Sequence, residues 1–177
     1  TLTGKGRAVS QYLSWGRYFK YKARELRPLQ WSDDFSFEGI DSSCLVYGMG
    51  RSYGDSCLNN NGVLIPSRLM NRFISWDAET SCVRCEAGVS LAELIQFALP
   101  KGYFLGVTPG TKFITVGGCV ANDVHGKNHH KVGTFGRFVK SFGLLRSTGE
   151  HLTCSPQENR ELFCATIGGL GLTGVIT

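Results

Sequence analysis

The chain has 177 residues, 42% hydrophobic and 19% charged, with a formal net charge of +5, enough for one domain with a real core. No stretch reaches the roughly 20 apolar residues of a membrane-spanning helix, and no basic-then-apolar opening reads as a secretory signal. Its seven cysteines, Cys44, Cys57, Cys82, Cys85, Cys119, Cys154 and Cys164, are odd in number and scattered, which argues against a disulfide framework and favours a reducing, cytoplasmic compartment.

The first residue is Thr1 rather than Met, so the true N-terminus is expected upstream. Residues 1–34 read as a basic arm. In its first 31 positions Lys5, Arg7, Arg17, Lys20, Lys22, Arg24 and Arg27 face only Glu25, whereas the remaining 12 basic and 13 acidic residues nearly cancel. With Tyr12, Trp15, Tyr18, Phe19 and Tyr21 interleaved, such an arm suits nucleic acid, an anionic lipid surface, or packing on a domain, and packing is the commonest use. Pro28 and Asp33-Asp34 mark a boundary, with one domain over 35–177.

Within that domain CLVY (44–47) is a buried strand running into glycine, and VLIP (63–66), RFISWD (72–77) and SCVRCEAG (81–88) are further strands. Alternation puts Cys82 and Cys85 on opposite faces, so this C-x-x-C lacks the geometry of a redox pair and the second pair of a zinc site. Ser90-Leu91-Ala92-Glu93 is a capping box opening a helix, with Leu91, Leu94, Ile95 and Ala98 on one face and Pro100 and Gly102 ending it. Residues 106–136 show little helical periodicity. RFVKSFGLLR, Ser147-Thr148-Gly149 and HLTC suggest a hairpin. Ser155-Pro156-Gln157-Glu158 reads as a second capping box, opening a helix that runs to about Thr166. A glycine loop over 168–174 leads into a strand from Val175, within which the chain stops, and this reads as truncation at the C-terminal end. The order of elements predicts α+β, with small mixed sheets and flanking helices, rather than a doubly wound sheet.

Four glycine-bearing loops could carry chemistry: Gly48–Asp55, Pro109-Gly110-Thr111, Thr115-Val116-Gly117-Gly118, and 168–174. Glycines let backbone N–H groups approach a pyrophosphate without a lysine, although such loops can also be plain turns. Gly169-Leu170-Gly171-Leu172-Thr173-Gly174 matches G-x-G-x-x-G in form. It follows a helix and precedes a strand, the reverse of the Rossmann order. Three of the four histidines fall in Asp123-Val124-His125-Gly126-Lys127-Asn128-His129-His130. Metal binding is one use for such residues; a histidine beside a redox cofactor, orienting or deprotonating a substrate hydroxyl, suits them better, and no metal is expected.

GMGRSYGD, PGT, TVGGCVANDVHGKNHH and GGLGLTGVI, in that order, resemble the FAD-binding (PCMH-type) domain of vanillyl-alcohol-oxidase-type flavoproteins, over roughly residues 44–177. The resemblance implies that Val46, Tyr47, Gly48, Met49, Gly50, Arg51, Ser52, Tyr53, Gly54, Asp55 and Ser56 line FAD. It adds Gly110, then Thr115, Val116, Gly117 and Gly118, then Asn122, Asp123, Val124 and His125, and finally Ile176. Tyr53 and His125 would face the substrate as catalytic residues. Arg51 stands where many relatives carry the histidine that links flavin covalently, so the FAD should be non-covalent. The implied reaction is oxidation of a secondary alcohol on a sugar or polyprenyl-phosphate-sugar by hydride transfer to flavin. An alditol or aldonolactone oxidase is the second choice, and a non-catalytic nucleic-acid- or membrane-binding module the third. A further substrate-capping domain with a catalytic lysine is implied, so this segment alone should be inactive. The resemblance leaves room for a redox or epimerase partner and a peripheral membrane contact, and implies no nucleic acid.

Overall fold

The computed structural model describes residues 12–177; Lys5 and Arg7 of the basic arm lie outside them. Its first sheet is parallel, in the order β1 (Glu25–Leu26), β3 (Val63–Pro66), β2 (Cys44–Tyr47). Every residue of β3 is buried, as an unbroken Val-Leu-Ile run requires when both faces are covered. Strand β1 comes from the arm. Its pairing is extended by N–H bonds from Arg24 to the Gly62 carbonyl (2.8 Å), Arg27 to Leu64 (3.0 Å) and Leu29 to Pro66 (2.8 Å). Arg24 also pairs with Asp41 at 2.7 Å, so this stretch of the arm packs on the domain.

The second sheet is the antiparallel hairpin of β4 (Phe73–Asp77) and β5 (Cys82–Cys85). Helix α1 (Leu91–Ala98) follows, and the Ser90–Glu93 capping box forms as expected. A 3₁₀ turn over Leu99–Lys101 ends the helix at Gly102, whose φ is +82°. The third sheet is antiparallel in the order β7 (His151–Cys154), β6 (Phe142–Leu145), β8 (Val175–Ile176). The main core, including Val63, Ile65, Met70, Val120, Leu144 and Phe163, joins the first and third sheets. Among the described residues no helix is long and apolar enough to cross a membrane.

Two expectations about helices need correcting. Residues 106–136 contain two short helices, α2 (Val116–Ala121) and α3 (His129–Val132). The second capping box does not form: α4 spans Arg160–Thr166 and starts after Asn159, which is left-handed at φ 48°. The Ser155 hydroxyl does accept from the N–H groups of Gln157 (3.2 Å) and Glu158 (3.0 Å), but the Ser155 N–H donates to the Glu158 backbone carbonyl (2.8 Å) and not to its carboxylate. That backbone bond closes a local turn in place of a first helical turn, and the Asn159 amide, donating to the Thr153 carbonyl (2.8 Å), ties the turn back to β7.

Candidate functional site

Because β2 and β3 run parallel, their C-terminal ends emerge side by side. The Ser67 N–H just beyond β3 donates to the Tyr47 carbonyl at the end of β2 (3.0 Å). Parallel neighbours need a crossover of a dozen or more residues, usually helical. Here the crossover is the glycine loop itself, with no helix in it. Its opening residues Gly48–Ser52 line a groove enclosing about 720 Å³ of space, open mouth included. Thr115, Gly117, Gly118, Ala121 and Asn122 line it from α2 and its two ends, and Leu170, Gly171, Gly174 and Ile176 from the last loop and β8.

These three segments are stitched together where side chains are absent. A Cβ on Gly48 would lie 2.5 Å from the Thr115 hydroxyl oxygen, and one on Gly117 2.9 Å from the Ala87 Cβ. The Thr115 hydroxyl caps α2 by accepting from the Gly118 N–H (3.1 Å), while the Gly117 N–H donates to the Ala87 carbonyl (2.8 Å). At the other end of α2 the Val120 and Ala121 carbonyls accept from the N–H groups of Gly168 (3.0 Å) and Leu170 (2.8 Å). The last loop therefore completes the C-terminus of α2, satisfying carbonyls that a helix end leaves free.

Among the described residues Arg51 is the single charged side chain lining the groove. One of its terminal nitrogens donates to the Met49 carbonyl (2.9 Å), but its Nε is buried with no acceptor among the described residues. A buried guanidinium N–H without an acceptor is costly, and an anionic ligand would satisfy it. Burial pushes the Cys57 thiol up, so that lining group is uncharged at neutral pH. Six glycines, otherwise neutral side chains and, among the described residues, one cation fit the close backbone approach of a nucleotide pyrophosphate. The residues present therefore fit FAD.

Of the residues singled out from sequence, Val46, Gly48, Met49, Gly50, Arg51, Ser52 and Ser56 meet Thr115, Gly117, Gly118, Asn122 and Ile176 along this groove. The others lie outside its lining. Tyr47 is buried in a satellite core with Ala23 and Leu64. Tyr53, Gly54, Asp55 and Gly110 are exposed. Val116 and Val124 pack with Val89 and Leu91. The Asp123 carboxylate accepts from the Gly136 N–H (2.8 Å). His125 is exposed, bridged through its backbone to Thr134. Its ring centroid is 5.1 Å from that of His129, yet no three His, Cys, Asp or Glu among the described residues gather to hold a metal. Sequence reasoning missed Cys57, Ser67, Ala87, Ile114 and Ala121 as lining residues. It noticed the glycines of the 168–174 loop but did not place Leu170, Gly171 or Gly174 in the site.

Comparison with known proteins matches residues 41–155 to an FAD binding domain. The chain is 49% identical over 134 residues to the decaprenylphosphoryl-beta-D-ribose oxidase of Mycolicibacterium smegmatis, covering 75% of this chain and 29% of that protein. It is 33% identical over 131 residues to the L-gulonolactone oxidase of Bos taurus, covering 74% and 29%. It is 32% identical over 121 residues to the D-lactate dehydrogenase of Anaerostipes hadrus, covering 66% and 26%. The chain thus spans under a third of the length of these relatives.

Proposed function

The chain belongs to the FAD binding domain family of flavin oxidoreductases, and from that premise we propose that its groove holds FAD non-covalently for oxidation of a secondary alcohol on a lipid-linked sugar. The observation that carries this reading is the convergence of three sequence-distant segments, 48–52, 115–122 and 170–176, on one groove whose only charge among the described residues is Arg51. The 49% identity to an oxidase named for a decaprenylphosphoryl sugar supports the substrate class over an aldonolactone, where the identity to a gulonolactone oxidase is 33%.

When bound, FAD supplies the acceptance of a hydride equivalent, chemistry that no side chain offers. The chain's own residues bind and orient. Arg51 would offer its unsatisfied N–H to the anionic part of the cofactor, beside the Ser52 and Ser56 hydroxyls. Gly117 and Gly118 keep α2 close to the groove. Tyr53 and His125, both exposed, would face the substrate, with the His125 imidazole accepting the hydroxyl proton. A lipid-linked substrate also calls for a membrane-facing approach, and the redox or epimerase partner that the resemblance leaves room for belongs to the same proposal.

The test is to load the protein with FAD and precipitate it with acid. With Arg51 where a linking histidine would stand, all the flavin is expected in the supernatant. Flavin that stays with the pellet would overturn the non-covalent reading. A protein that binds no FAD at all would favour a binding module instead. A panel of polyprenyl-phosphate sugars and free lactones then separates the two oxidase readings by which of them bleaches the flavin.

A further inference from the structure

Upstream of the family match, residues Tyr12–Trp15 lie across the loop that carries Arg51. The Tyr47 hydroxyl donates to the Leu13 carbonyl (2.7 Å), and the Tyr12 ring meets the Tyr47 ring edge-on at 5.1 Å. The Trp15 N–H donates to the Ser52 carbonyl (3.1 Å). Between these attachments Gly50 sits at φ +64°, and a Cβ there would collide with both the Leu13 carbonyl and the Tyr47 hydroxyl. A side chain at position 50 is therefore excluded by the strap as well as by the turn.

The Arg51 guanidinium carbon lies 5.6 Å from the centroid of the Trp15 ring, inside the range of a cation–π contact. Trp15 is still 55% exposed, so the core does not account for its placement. Its backbone holds the residue after Arg51 and its ring contacts the guanidinium. Among the described residues Arg51 in turn is the groove's only charge, and its buried Nε–H has no acceptor.

We propose that Trp15 is a positioning residue: it holds Arg51 in the orientation that receives the anionic part of the flavin nucleotide, as one end of a Tyr12–Trp15 strap over the loop. This rests on the FAD reading above. It makes a distinction that a merely structural role would not. Losing Trp15 should weaken ligands that carry the pyrophosphate and spare riboflavin, which has no charge for Arg51 to meet.

The experiment uses the full-length protein with Trp15→Ala, Trp15→Phe and Tyr47→Phe, titrated with FAD and with riboflavin by quenching of flavin fluorescence. Trp15→Ala should weaken FAD about three- to tenfold, the scale of one cation–π contact, with riboflavin affinity unchanged and a shallower salt dependence for FAD. Trp15→Phe should recover most of the FAD affinity. Tyr47→Phe, which cuts the other attachment without touching Trp15, should show the same selectivity at smaller size. Unchanged FAD affinity in Trp15→Ala overturns the proposal and leaves the FAD reading standing. So does equal weakening of both ligands with a lowered Tm. A wild-type protein that binds neither ligand overturns the FAD reading and the strap's role together.

Discussion

At Gly117 an added methyl group would sit 2.9 Å from the Ala87 Cβ and 3.2 Å from the Ala87 carbonyl oxygen, while the Gly117 N–H holds that same carbonyl. This glycine is required by protein packed against protein, before any cofactor is considered. Gly117→Val should therefore cost about 1–3 kcal/mol of stability, the range for overpacking a tight contact, and flavin retention should fall with the fold. Gly110, also assigned to the cofactor by resemblance, has nothing within 4 Å of its Cβ position and no left-handed backbone. Gly110→Ala should stay within about 0.5 kcal/mol of wild type. Urea unfolding of both variants checks the pair. A Gly117→Val protein that unfolds at the wild-type midpoint yet loses flavin would instead put the new side chain in cofactor space.

Helix α1 is set by a cap that ties three residues together. The Ser90 N–H and hydroxyl both donate to the Glu93 carboxylate (2.7 Å each), and Arg68 joins it at 2.7 Å. Ser90→Ala should cost about 1 kcal/mol, read as a shift in the urea midpoint. Partial burial raises the Glu93 pKa, but the Ser90 hydrogen bonds and Arg68 outweigh it and hold the carboxyl below its ordinary value. A depressed folded pKa means that this contribution is complete above the unfolded value near 4.3 and is lost as pH falls through the folded one. The stability gap between wild type and Glu93→Gln should then narrow as pH drops below about 4; a gap that widens there would contradict the assignment. The cap and the apolar face of α1 were both legible, because both signals are local. The string Ser155-Pro156-Gln157-Glu158 looks equally good locally and failed, because its serine closes a turn instead. Helix α2 had no readable period: six residues with two glycines owe their helix to the Thr115 cap and to partners at Ala87, Gly168 and Leu170. Strand β1 was hidden for a similar reason, since Glu25 pairs with Val63, far along the chain. In the groove, the first loop showed itself through its glycines, while Ser67, Ala87 and Ala121 are small residues whose meaning comes only from what they stand beside.

Across the whole molecule, the groove is where the parallel sheet, α2 and the antiparallel third sheet meet, and few direct bonds join them. The loop after β2 touches the cap of α2 through Gly48 and Thr115, and the last loop reaches α2 through the Gly168 and Leu170 N–H groups. A ligand filling that groove would add contacts to all three segments at once, and none of those contacts exists in the unfolded chain. Linkage then sets the size of the effect: FAD at 100 times its Kd should raise the unfolding free energy by about 2.7 kcal/mol, visible as a higher Tm. The distribution of the gain is the sharper test. Hydrogen exchange should slow together in 48–52, 116–122 and 168–174. The turn between β4 and β5, where Asp77 accepts from the Glu79 N–H (2.9 Å) away from the groove lining, should exchange at its unliganded rate. Protection confined to one of the three segments would mean that the groove does not act as a single site, and the proposed cofactor placement would fail with it.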